Sequence, residues 1–238
     1  MAPIHHAARR GDVEELRRLL AAGYPPDAIQ WMGGDFEPRR TPLHVLCRDC
    51  NDRSGRVACF KLLRDAGANL EATDAVDYTP LHHSASRSDV EIVSLLIQAG
   101  VNLNARAHDG STPLHLVQHV RNARAFDCCE LLLKAGAAVN LTTQYGWTPL
   151  DIAINRRHYR RWPLLLRAGA EFNKNHGPTG ATVDQVCYFV RVRNAGGFKK
   201  YARNHLAAVT KLFKDNGRGL PPEVVRQIMK FWLHAGYY

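Results

Sequence analysis

The chain has 238 residues, 45% of them apolar and 23% charged, enough apolar content for one or two packed cores and too much for a disordered chain. No stretch approaches the roughly 18 consecutive apolar residues of a membrane span, and the opening Met1-Ala2-Pro3-Ile4-His5-His6 lacks the apolar core of a secretory signal. The formal net charge of +10 is uneven: residues 1–173 carry 21 Lys and Arg against 19 Asp and Glu, residues 174–238 carry 11 against 3. A cytosolic or nuclear location is therefore expected, with no membrane partner, and the basic second region suits an acidic one. The six cysteines show no disulfide framework, which fits a reducing compartment.

Thr-Pro-Leu-His stands at residues 41–44, 79–82 and 112–115, and Thr148-Pro149-Leu150-Asp151 is a fourth copy, at spacings of 38, 33 and 36 residues. A Leu-Leu pair followed by a glycine recurs in step, ending at Gly23, Gly67, Gly100, Gly136 and Gly169. Five such glycines predict five units, near residues 4–40, 41–78, 79–111, 112–147 and 148–173. Each reads as two short antiparallel helices. In the copy from Thr79, the threonine caps a first helix with Pro80 at its first position. Asp89 opens a second, with Val90, Val93, Leu96 and Ile97 at helical spacing, and Gly100 ends it. A projecting hairpin, Val101 to Gly110, is expected to lead to the next Thr-Pro. Insertions lengthen three connections: residues 29–40 with Trp31-Met32-Gly33-Gly34 and Pro38, Asn51 to Arg56, and Arg121 to Arg124. In the fifth unit Pro163 falls where a second helix would run, predicting a shortened or kinked one.

Beyond the turn-forming cluster His176-Gly177-Pro178-Thr179-Gly180 the period stops, and residues 174–238 read as a basic helical segment. Helices are predicted at Val183 to Arg193, Lys199 to Asp215 and Pro221 to His234, with Gly196-Gly197 as a hinge. The last carries Glu223 in its first turn, Lys230 and His234 in its last, and an apolar side of Val224, Val225, Ile228, Met229 and Trp232.

The Thr-Pro-Leu-His copies with their glycines resemble the ankyrin repeat from Ile4 to about Asn173. That resemblance implies an all-α solenoid of L-shaped units with projecting β-hairpin loops, whose stability comes from neighbour interfaces. It also implies a protein that binds another protein on its concave face and hairpin tips. Leu220-Pro221-Pro222-Glu223-Val224-Val225 with Ile228 and Phe231 is similar to the opening of F-box motifs, to the C-terminal box of poxviral ankyrin proteins and to the end of a SOCS box. Those families recruit ubiquitin-ligase scaffolds, so Leu220, Pro221, Val224, Ile228, Phe231 and Trp232 are candidate ligase-docking residues. Only 15 residues follow Glu223, too few for a complete F-box. A simpler reading makes this helix a cap on the solenoid's open end.

No catalytic residues and no cofactor are expected: the chain shows no phosphate-binding glycine loop, no Ser-His-Asp spacing and no carboxylate pair. His44, Cys47, Cys50 and Cys59 have ligand-like spacing, but His44 is the structural Thr-Pro-Leu-His position and Cys47 lies on a packed helix face, so no metal is expected. Asn104, Asn140 and Asn173 stand four residues after their glycines, resembling positions that asparaginyl hydroxylases modify; a loop-stabilising role competes with that reading. The family's exposed concave pair falls on Arg9-Arg10, Arg48-Asp49, Ser86-Arg87, His119-Val120 and Asn155-Arg156. With Arg39, Arg40, Tyr78, His108, Asp109, Tyr145 and Trp147 at the tips, the surface is rich in the Arg, Tyr and Trp that anchor interfaces. The expected partner is an acidic protein segment bound by a monomer. Nucleic acid is not expected, because the inner helices lack aromatics for base stacking.

Overall fold

The computed structural model describes residues 2–29, 39–50, 52–156, 158, 160–171, 200 and 204. The predicted helices at 183–193 and 221–234, all of the one at 199–215 except residues 200 and 204, the residues Trp31 to Pro38, Asn173 and the docking candidates from Leu220 to Trp232 lie outside these. Ten helices occur among the described residues: α1 Pro3–Arg10, α2 Val13–Ala21, α3 Pro42–Asp49, α4 Arg53–Asp65, α5 Pro80–Arg87, α6 Val90–Gln98, α7 Pro113–Val117, α8 Arg124–Lys134, α9 Pro149–Asn155 and α10 Trp162–Arg167. They fall into two compact units, the first holding residues 1–138 and 142–146, the second 139–141 and 147–238.

In the first unit the odd helices α1, α3, α5 and α7 stack in one layer and the even helices α2, α4, α6 and α8 in another, with each odd helix packed on its following even one. Between them lie fully buried Ile4, Leu16, Leu43, Phe60, Leu96 and Leu132. The odd helices start alike because Thr41, Thr79 and Thr148 cap them, each followed by proline. Asp12, Asp52 and Asp89 cap α2, α4 and α6. Residues 53–56, expected in a lengthened turn, instead form the first turn of α4, because the Asp52 carboxylate accepts from the Ser54 amide at 2.9 Å and starts the helix early. In the second unit α10 runs six residues with Pro163 in its first turn.

One expectation is overturned. Among the described residues no β-strand forms, and the segments between units are turns, not projecting β-hairpins. Each turn is closed by one long bond, from the Asp74 amide to the Tyr78 carbonyl at 3.0 Å and from Ala107 to Ser111 at 2.9 Å. Neighbouring turns share one backbone–backbone bond: His108 N donates to the Val76 carbonyl at 3.1 Å and Gln144 N to the Asp109 carbonyl at 2.8 Å. A ladder cannot grow from there. The donors that follow are taken, the Tyr78 amide by Asp74 Oδ1 at 3.0 Å and the Thr79 amide by His82 Nδ1 at 3.1 Å, and Pro80 has no N–H to give.

The same histidines couple successive repeats within the first unit. His82 Nδ1 also sits 2.9 Å from Thr79 Oγ1, and Nε2 reaches the Ser111 carbonyl of the following turn at 3.2 Å. His44 does the same with Thr41 and with the Tyr78 carbonyl at 3.0 Å, and His5 reaches the Arg40 carbonyl at 2.9 Å. Asp151 replaces the histidine in the second unit and holds the Thr148 amide and hydroxyl at 2.9 and 2.8 Å. A second set of links joins side chains four residues past a glycine to backbone amides of the next repeat. Asp27 accepts from Asn69 at 2.9 Å, Glu71 from Asn102 at 2.8 Å and Asn104 from Ala138 at 2.7 Å. Within the second unit Asn140 accepts from Glu171 at 2.9 Å. Asn104 and Asn140 thus have the loop-stabilising contacts in place. Between α4 and the start of α6, Arg56 Nε and Asp89 Oδ2 lie 2.8 Å apart and almost fully buried, an ion pair not aligned as a hydrogen bond. Removing one partner would strand the other charge, at about 3–5 kcal/mol.

Two consequences can be measured. Gly55 in α4 packs so closely on α1's left-handed cap that a Cβ there would overlap the Gly11 carbonyl oxygen. Gly-to-Ala in a helix normally stabilises by about 0.5–1 kcal/mol. Here Gly55→Ala should instead destabilise by about 1–3 kcal/mol, through overpacking against backbone; a higher denaturation midpoint would contradict this close approach.

The second concerns pH. Burial lowers His5, His44 and His82 from 6.5 to about 4, with repulsion from His83 adding to the effect at His44 and His82. The unfolded chain therefore takes up protons at these rings below about pH 6.5, while the folded chain resists until about pH 4. Stability should be full above that window and fall as pH drops through it. Melting temperatures measured from pH 8 to 4 should be level at first and then decline; a level profile throughout would contradict neutral, carbonyl-bound imidazoles.

Candidate functional site

Five of the residues singled out in the sequence, Arg48, Tyr78, Ser86, His108 and Asp109, converge in the first unit. A cleft of about 490 Å³ is lined by Arg48, Asp74, Val76, Tyr78, His83, Ser86, His108 and Asp109. Its helix side comes from the end of α3 and from α5, its loop side from the turns at 74–78 and 107–111. Arg48 lies exposed in the last turn of α3, where a cation also suits the helix dipole.

Asp74 is the anchor of this cleft. Its side chain is 2% exposed, yet Oδ1 accepts from the amides of Val76 and Tyr78, each at 3.0 Å, and Oδ2 from His83 Nε2 at 2.9 Å. Burial opposes the charge, but the His83 bond and the two amide bonds outweigh it and hold the carboxyl below its usual range. Arg40 adds a looser contact, 3.9 Å from Asp74 and 3.8 Å from Asp49. Tyr78 lies flat on His82 with ring centroids 5.3 Å apart, and meets His83 edge-on at 5.4 Å. His83 in turn meets His44 edge-on at 5.7 Å. Burial, then the charges of Asp109 and Asp74, raises the Tyr78 phenol, so it remains a neutral donor at physiological pH.

The remaining sequence candidates are distributed differently. Arg9 and Arg10 are exposed in the last turn of α1 and His119 is exposed after α7. Arg87, in the last turn of α5, donates to the Arg48 carbonyl at 2.5 Å and so ties two neighbouring helix ends together. Arg39 is exposed with a left-handed backbone, and Tyr145 is 68% exposed at a turn. In the second unit, Trp147 is half-buried and Arg156 exposed. Asp74, Val76 and His83 line the cleft without having been singled out. His83 carried a signal: it is polar at a register where Val45, Leu116 and Ile152 stand in three of the other repeats, with His6 in the first. Asp74 was not singled out: two of its partners are amides of its own turn and the third, His83, lies in α5.

Among the described residues no group of three or more His, Cys, Asp or Glu is placed to hold a metal ion. His44 has both ring nitrogens engaged, and burial raises the Cys47 and Cys59 thiols to about 12 and the Cys50 thiol as well. No helix among these residues is long and apolar enough to cross a membrane.

A family model described as ankyrin repeats in three copies matches residues 50–142 and 104–176, more than half of the chain. Human ankyrin repeat and SOCS box protein 11 is 36% identical over 116 residues, which are 48% of this chain and 32% of that protein. Rabbit (Oryctolagus cuniculus) ankyrin repeat and SOCS box protein 5 is 36% identical over 105 residues, 44% of this chain and 28% of that protein. Vaccinia virus (strain Western Reserve) ankyrin repeat protein OPG189 is 38% identical over 76 residues, 32% of this chain and 13% of that protein. The matched part of the chain spans a third or less of the length of these relatives. The recurring caps and repeat-to-repeat bonds thus have their counterpart in a known repeat, and the chain belongs to the ankyrin-repeat family, whose repeats serve protein–protein interaction.

Proposed function

We propose that this chain is a recruiting adaptor: its ankyrin units hold a partner protein while the basic segment 174–238 docks a ubiquitin-ligase scaffold through Leu220, Pro221, Val224, Ile228, Phe231 and Trp232. One observation carries the reading. Relatives matched over nearly half of the chain have names that join ankyrin repeats to a SOCS box, and this chain continues beyond its repeats into a string similar to the end of such a box. The resemblance to the C-terminal box of poxviral ankyrin proteins runs parallel to the vaccinia virus match.

The bound partner is an acidic protein segment, held by a monomer in the cytosol or nucleus. Arg9, Arg48 and Arg87 end successive odd helices of the first unit, and guanidinium groups in a row suit repeated carboxylates or phosphates. The cleft beside Tyr78 and His108 supplies the enclosed part of the surface, where anchors contribute most. Without the ligase contact, the same surface would serve a passive binding module.

Affinity purification from cell extract separates the two. The full-length chain should recover cullin or elongin subunits, and a chain ending at Asn173 should lose them while keeping its other partners and its melting transition. Equal recovery by both forms, or none by either, would remove the adaptor and leave the binding module.

A further inference from the structure

Four turns lead into Thr-Pro pairs, and each places the residue two positions before its threonine in the left-handed region: Arg39 at φ 38°, Asp77 at 58°, Gly110 at 75° and Gly146 at 76°. Glycine meets that geometry freely, whereas any side chain there strains the backbone. Two of the turns therefore carry the residue their backbone prefers, and two do not.

Asp77 gains nothing inside the molecule in return. Asp74 uses both carboxylate oxygens on Val76, Tyr78 and His83, and Asp109 uses both on Ser111, at 2.9 Å each. The Asp77 carboxylate is exposed and makes no hydrogen bond or ion pair among the described residues. Its neighbours in sequence, Val76 and Tyr78, both line the cleft, and Val76 is 50% exposed there. A strained residue with an idle charged group beside a cleft fits a binding role better than a folding one.

We infer that Asp77 is a specificity-determining residue of this cleft, its carboxylate placed to pair with a lysine or arginine of the bound partner segment. This rests on the cleft being part of the partner surface, as proposed above. The half-buried Tyr78 ring next to it offers a face for the same cation. Arg48, on the helix side of the cleft, takes a group of opposite sign. The partner segment is then not uniformly acidic: it carries a basic residue toward the turns and acidic residues toward the helix ends. Such a pattern fixes direction and register, which a row of arginines alone does not.

The test uses the full-length chain and a phage-displayed library of random peptides, counter-selected on Val76→Arg so that only peptides using the cleft survive. The best survivor, made synthetically, is titrated against the unaltered chain, Asp77→Asn and Asp77→Gly. Asp77→Asn keeps the left-handed tolerance and the melting temperature but should weaken binding about tenfold, the scale of a partly desolvated charge pair. Asp77→Gly should raise the melting temperature and weaken binding as much. Replacing the peptide's basic residue with alanine should weaken binding to the unaltered chain by clearly more than binding to either variant, which keep only the Tyr78 ring for that cation. Variants that bind within about twofold of the unaltered chain, or survivors without a basic residue, overturn the role of Asp77 alone. A library from which no peptide survives counter-selection overturns the cleft as a partner site, and this inference with it.

Discussion

The first unit is organised around one side chain used in a repeated way. A buried imidazole at the third helical position accepts its own threonine amide on Nδ1 and binds the carbonyl of the following turn on Nε2. The first contact starts a helix, and the second fixes the next turn to it. The first depends on the ring being neutral, since only an unprotonated Nδ1 can accept, and burial favours that form. Because a single repeat cannot bury its own apolar faces, this bond does more than decorate the stack: it sets the register at which neighbouring apolar layers meet. The Asp27, Glu71 and Asn104 links set the same register at the ends of the even helices.

That constraint also explains the form of the turns. The histidine consumes the threonine amide, proline removes the next donor, and the chain has no means of extending a ladder into strands. What is left is a short, tightly closed turn with a left-handed residue, linked to its neighbour by one backbone bond. The turns are thereby held on a rigid base while their side chains remain exposed, an arrangement suited to recognition. The cleft forms where two such turns meet the ends of α3 and α5. Its floor is polar but satisfied: Asp74 and His83 neutralise each other's demand for water and hold Tyr78 in place.

Much of this was legible in the amino-acid sequence because it is local. Thr-Pro-Leu-His fixes a cap, a start and a ring position within four residues, and the Leu-Leu-Gly signal fixes the end of the following helix. The turns were less legible. Strand formation depends on whether donors are free, and after residues 101–110 the Thr112 amide is taken by His115 Nδ1, which the composition of the segment does not reveal. The cleft was half legible: Arg48, Tyr78, Ser86, His108 and Asp109 followed from aligning the units, whereas Asp74 acquires part of its role from α5 and Asp77 from a φ value that no composition reveals. Arg87 could be placed by counting, but its bond to the Arg48 carbonyl, which makes it a brace between helix ends as well as a surface charge, could not.

Native-state hydrogen exchange on His82→Leu tests the coupling role of the histidine most directly. If the ring joins one repeat to the next, amides of Thr79 to His83 and of the turn at 107–111 should lose protection together, while those of α1 and α2 stay as slow as before. Loss confined to residues 79–83, with the 107–111 turn still protected, would show that apolar contact alone couples the repeats and that the histidine merely caps its own helix.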